Sequence, residues 1–452
     1  MPAAIGANSP TRRRRGTLKK KNGKIDFCNN VLFAECKFSK YLQAKRIFFI
    51  LCAMIVFPDY RRCPVNLVSS IAKHMGAEVF HPTLPEADAL LAHKAYRNIV
   101  LFLFDGMGID VLEHHLKSDS FLRTHLLCPL SSVYPPTTTA ATTSVESALT
   151  PAEHGWLGWT VYFPSVDANV NVFTNMLKDT TTKAAPYHVG MQDIPYTKIY
   201  ERIDSADEES GVKAYSVSRF GTNKVRTAKG MFDEVFRLCS LGGKKYIYAY
   251  HEKPDNIMHV AGTYGGLAKH SVHHINSSVQ RFCRRLKQNP AARDTLVLVI
   301  ADHGHIPVVN ADLTSYPDLE AMFVRRPSLE PRAVNFFIKP ESLKAFPAAF
   351  ASHFKTIFPS SLFGSETLPE AAGQSFETGD ADFVLFSRDE VLRMKLFGPG
   401  TGHPSLKHSV GDYLAASCSA LTLTDSPKSH HFKSHHAGLT VQEMRIPLIA
   451  VL

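Results

Sequence analysis

The sequence predicts an α/β protein with a central sheet covered by helices on both faces. Three observations predict it. Four apolar runs rich in β-branched and aromatic residues recur along the chain: NIVLFLF, KAYSVS, KYIYAYH and TLVLVI. Helix-like segments lie between them, and apolar strands alternating with helices imply a sheet buried on both sides. Three of the segments also end in aspartate, at the strand ends where open α/β sheets bind ligands.

The elements follow in chain order. Residues 1–57 carry 12 Lys and Arg against only Asp26 and Glu35, while the rest holds 39 of each sign. The net charge of +10 therefore belongs to a basic, disordered extension. The body exerts no net pull on polyanions, so nucleic acid would be reached only through that tail. The apolar run IFFILCAMIVF at 47–57 is too short to cross a bilayer as a helix. Its 46 preceding residues do not resemble the short flank of a secretory signal. No transmembrane segment and a cytoplasmic location are expected. Met54 opens a stretch that reads as a natural domain start, which would make residues 1–53 an extension of the gene reading. Eight scattered cysteines without a Cys-x-x-Cys pair indicate neither a disulfide framework nor a thiolate zinc site, as suits a reducing compartment.

The catalytic body is expected over 58–311 and 401–452. Its first strand, NIVLFLFDG, delivers Asp105 and Gly106. The stretch SVYPPTTTAATTS at 132–144 follows, where two prolines stop any upstream helix and the threonines can start a new one. KYIYAYHEKP leads to Asp255, with His259 four residues on, and LAKHSVHHINSSVQRFCRRLKQ at 267–288 reads as a long helix. TLVLVIADHGH delivers Asp302, His303 and Gly304. Residues 312–400 break the rhythm and suggest a small α+β insertion or cap. The chain returns to the core with HHAGLT, containing His436, and a closing strand IPLIAVL at 446–452.

One aspartate after one strand is an ordinary turn cap. Three aspartates and three histidines at strand ends are not. Carboxylates converging on one edge repel unless a cation joins them, and mixed Asp/His ligation suits Zn²⁺, with Mn²⁺ or Fe as alternatives.

The order Asp105, threonine before a helix, Asp255-x-x-x-His259, Asp302-His303-Gly304, His436 resembles the alkaline phosphatase superfamily. It looks closest to the type I phosphodiesterase/nucleotide pyrophosphatase branch. The similarity runs from about residue 97 to the C-terminus and is weakest across 310–400. It implies an alkaline-phosphatase-like central sheet and two divalent metal ions side by side. Asp105, Asp302, His303 and the nucleophile would hold one; Asp255, His259 and His436 would hold the other. The family's nucleophile stands thirteen residues before a Pro-x-x-His-Gly signature, here Pro151-Ala152-Glu153-His154-Gly155, which points to Thr138. Thr137 or Thr139 stays open should the helix start a residue earlier or later. A hydroxyl at a helix N-terminus meets free N–H groups and the positive dipole end, where a phosphate binds well.

His305 and His435 are read as neighbours that support ligands or face solvent, and His251, His270, His273 and His274 as strand and helix-surface residues. Members acting on nucleotide diesters often carry Asn three residues after the nucleophile; Ala141 stands here. His403 is a candidate substrate contact, with Asp412 nearby. The expected activity is two-metal hydrolysis of a small-molecule phosphate ester, a phosphodiester, pyrophosphate or monoester, through a phosphothreonine intermediate. The alternatives are a phosphomutase of the same superfamily, a non-catalytic binding protein on this fold, and a nucleic-acid binder acting through its tail.

Overall fold

The computed structural model describes residues 54–206, 211–364, 372–425 and 432–452. Residues 1–53 of the basic extension, and the reading made of them, lie outside the described residues. Met54–Val56, the end of the segment assigned to that extension, pairs antiparallel with Ser375–Glu377. Ile55 and Phe57 are fully buried there, so these apolar side chains belong to the folded body.

The central sheet has seven strands. In chain order they are β1 (Asn98–Phe104), β2 (Leu126–Ser131), β3 (Lys213–Ser218), β4 (Asn223–Lys224), β5 (Lys245–His251), β6 (Thr295–Ile300) and β7 (Arg445–Val451). Their order across the sheet is β2-β7-β6-β1-β5-β3-β4. The block from β6 to β4 is parallel, and β7 closes it antiparallel against β6 and β2. Every residue of β1 is buried, which requires cover on both faces. On one face Phe102 packs on Phe232 and Phe282, from the helices Ala228–Cys239 and Gly266–Gln288.

Register decides what the sheet presents. Asn98 pairs with both Thr295 and Lys245, and Phe104 with His251. The three parallel strands therefore end level, and the chain beyond each one emerges at the same edge. Asp105, Asp255 and Asp302 reach one place for this reason.

The stretch 312–400 contributes to a second sheet of eight strands, which also takes Thr160–Phe163, Ala168–Asn171, Met176–Leu177 and Tyr413–Ser417. This sheet is thus wider than the 312–400 segment. An aromatic core of Phe336, Phe346, Phe350, Phe354 and Phe383 supports it. Arg332 ties it to the segment after His436. Its guanidinium makes a fully buried fork to Glu443, Nε to Oε1 at 2.7 Å and Nη2 to Oε2 at 2.8 Å. Glu443 also accepts from Gly438 N–H and the Thr440 hydroxyl, fixing the turn that carries His436. Arg332→Met should therefore cost about 3–5 kcal/mol, because it strands a buried carboxylate. The check is the urea midpoint, and Arg332→Met with Glu443→Gln should recover part of the loss.

Candidate active site

Thr138 opens the helix α1 (Thr138–Ser147), with Thr137 as its N-cap in extended conformation. The Thr138 hydroxyl lies 3.3 and 3.4 Å from the two Asp105 carboxylate oxygens and 3.4 Å from His303 Nε2. Its neighbours point elsewhere. The Thr137 hydroxyl donates to Glu330 Oε1 at 2.6 Å, and Thr139 is fully buried. Of the three threonines left open by spacing, the backbone turns Thr138 toward the aspartates. Ala141 is fully buried in a small cluster with Cys63, Val65 and Val133.

Two groups of side chains lie beneath and beside this hydroxyl. In the first, His303 Nε2 is 3.3 Å from Asp105 Oδ1 and 3.5 Å from Asp302 Oδ2. Asp302 Oδ1 accepts from the N–H groups of Gly106 and His303, and Tyr250 donates to Asp105 Oδ2 at 2.5 Å. In the second, Asp255 Oδ2 is 3.3 Å from His259 Nε2, and Asp255 Oδ1 is 3.7 Å from His436 Nε2. The loop after β6 enters this crowded edge because Gly304 has no side chain. A Cβ there would stand 1.8 Å from the Gln442 carbonyl oxygen.

The electrostatics are those of carboxylates short of positive charge. Burial and the facing Asp105 raise the Asp302 carboxyl well above its ordinary range. Burial opposes charge on His303, yet Asp302 and Asp105 outweigh it and push the imidazole up to about 10. Burial holds His436 well below its ordinary value, so it offers a neutral lone pair. Asp255 Oδ1 and Asp302 Oδ2 are buried without a hydrogen-bond partner.

The residues fit divalent cations. Donors about 2.1 Å from a tetrahedral ion lie about 3.4 Å apart, and the contacts of both groups cluster around that spacing. The Nδ1–H groups of His259, His303 and His436 donate to the carbonyls of Ser434, Gly304 and Pro136. Each ring is thereby oriented with Nε2 inward, as ligating histidines are.

A cavity of about 900 Å³ opens above, lined by Thr138, Asp255, His259 and His436 together with Trp159, Lys178 and Glu330. Lys178 is the one Lys or Arg lining it among the described residues, and Asp425 and the Pro327 carbonyl engage its ammonium. Burial raises the Glu330 carboxyl. Spacing carries no signal for Trp159, Lys178 or Glu330, because they come from the second sheet and its loops. Tyr250 is visible in the sequence only as one position of an alternating strand.

His305 and His435 do not face solvent; both are buried at the second group. His270, His273 and His274 are exposed and His251 half-buried. His403 is not brought to the cavity among the described residues. Its N–H donates to the Ala152 carbonyl and its ring bonds Ser405, which places it against the Pro151–Gly155 signature. Asp412 is engaged by Ile338 N–H and Arg388.

The fold agrees with solved structures of murine ectonucleotide pyrophosphatase/phosphodiesterase 5, at TM-score 0.53 and 12% identity over 78% of this chain and 87% of that one. An inactive variant of the murine protein in complex with AMP aligns over the same shares and identity with TM-score 0.54. The human protein aligns with TM-score 0.53, 12% identity and the same coverage. No curated protein sequence matches the chain. The family model for type I phosphodiesterase / nucleotide pyrophosphatase matches residues 99–340, more than half of the chain, from β1 into the second sheet. The chain belongs to the type I phosphodiesterase/nucleotide pyrophosphatase family.

Proposed function

We propose that this protein hydrolyses small-molecule phosphate esters, phosphodiesters of the nucleotide type foremost, with Thr138 as nucleophile and two divalent cations, Zn²⁺ best suited. The observation that carries the reading is the Thr138 hydroxyl, within 3.4 Å of both Asp105 and His303 on a residue that lines the cavity. Cations held by Asp105, Asp302 and His303 and by Asp255, His259 and His436 would neutralise phosphoryl oxygens and acidify that hydroxyl.

The chain's own groups do the rest. Thr138 Oγ1 attacks phosphorus, forming a phosphothreonine ester as the bond to the leaving alcohol breaks, and water then cleaves that ester. The first turn of α1 offers N–H groups to the phosphoryl oxygens. Tyr250, kept protonated by burial and by Asp105, holds that carboxylate in place. With Lys178 engaged by Asp425, substrate charge falls on the helix start and the cations.

The test is a panel of monoesters, diesters and phosphonates assayed with Zn²⁺ and with Mn²⁺. Diester cleavage that a chelator abolishes and Zn²⁺ restores is expected. No cleavage of any substrate with either ion would overturn the reading, and isomerisation of a phosphomonoester without release of phosphate would replace it with the phosphomutase.

A further inference from the structure

The geometry points to His305 as a further protein ligand of the second cation, grouped with Asp255 and His259; this rests on the two-cation reading above. His305 is fully buried, and its Nε2 has no hydrogen-bond partner. That nitrogen is 3.3 Å from Asp255 Oδ1, itself unpartnered. The two buried atoms face each other outside hydrogen-bond geometry, and with the Nε2 lone pair toward the carboxylate each leaves the other's desolvation uncompensated. A shared cation removes both costs, and 3.3 Å is close to the edge of a tetrahedral ligand set. The separation is shorter than the 3.7 Å between His436 Nε2 and the same oxygen.

The orientation of the ring repeats that of the other three histidines. Its Nδ1 lies 3.2 Å from the Thr263 hydroxyl, as Nδ1 of His259, His303 and His436 each lies against a protein oxygen. Thr263 is itself anchored, its N–H donating to the Ser434 hydroxyl, on the segment whose carbonyl orients His259. The ring centroid of His305 is 4.8 Å from that of His259 and 5.6 Å from that of His436, so the three imidazoles surround Asp255. The tetrapeptide Asp302-His303-Gly304-His305 thus serves both cations, the first two residues one and the last the other.

An added imidazole favours Zn²⁺ over Mn²⁺ or Mg²⁺, which prefer oxygen. It also makes the second ion harder to remove. The experiment compares the full chain with His305→Gln, His305→Ala and Asp255→Ala. Zn²⁺ is titrated against a competing chelator, and visible spectra are taken after loading with Co²⁺. Melting of each protein in chelator checks that the variants fold. His305→Gln and His305→Ala should hold one ion as wild type does and bind the second more than about 100-fold more weakly, beyond the loss expected of a residue that only orients a ligand, with an altered Co²⁺ spectrum. A loss of roughly 10–100-fold with an unchanged spectrum would make His305 such a supporting residue and overturn the assignment. Unchanged affinities and superimposable spectra in both variants, while Asp255→Ala loses an ion, would overturn the assignment and leave the two-cation reading standing. A wild-type chain that binds neither Zn²⁺ nor Co²⁺ would overturn both.

Discussion

Thr138→Ala is expected to lower turnover by roughly 10³–10⁶-fold, the range for loss of a catalytic nucleophile, with cation content and melting temperature close to wild type. The hydroxyl is half-buried at the helix start and bonds no structural partner beyond Asp105 and His303, so its loss should leave the fold intact. Thr138→Ser keeps the oxygen but loses the methyl that restricts its rotamer, and should retain partial activity. Thr142→Ala removes only a hydroxyl bonded back to the Thr138 carbonyl and should be nearly silent. Thr137→Ala removes the hydrogen bond to Glu330, which still accepts from Trp159 N–H, and should not abolish turnover. Steady-state kinetics on the four variants decide the matter; near-normal turnover in Thr138→Ala would remove the nucleophile from the account.

Asp302→Asn should abolish activity and lower bound cation from two ions per chain to about one. The amide oxygen can still accept from Gly106 and His303 N–H, which preserves the loop. What is lost is the charge at Oδ2, the buried oxygen without a partner. Asp255→Asn should remove the other ion, because its carboxylate lies between His259 and His436. Elemental analysis of each variant and of the double variant checks this, and unchanged content in the double variant would sink the assignment.

Much of this is legible in the sequence, for identifiable reasons. The apolar runs at β1, β5 and β6 are buried on both faces, so hydrophobic patterning alone exposes them. Asp105 follows β1 at once, Asp302 stands two residues past β6, and Asp255 four residues past β5. Level strand ends then converge them. Thr138 is reachable because prolines and threonines mark a helix start. The second sheet is harder to read. It joins strands from 160–177, 323–338, 356–357, 383–387 and 413–417, and long-range pairings of short segments leave no local period. Glu330 and Trp159 reach the cavity only through that sheet. His403 looks plausible from its glycine-rich setting, yet its backbone caps Ala152 instead. Sequence alone leaves His305 and His435 open between supporting ligands and facing solvent, and burial excludes the second. Gly304 and the pairing of Ile306 with His435 fold both rings inward.

The stereochemical course at phosphorus tests the central claim most directly. A P-chiral phosphorothioate diester of p-nitrophenol is hydrolysed in ¹⁸O-labelled water and the configuration of the product is read. Attack by Thr138 followed by attack of water inverts phosphorus twice, so net retention is predicted. Net inversion would show that water attacks the ester directly and would contradict a covalent threonine step.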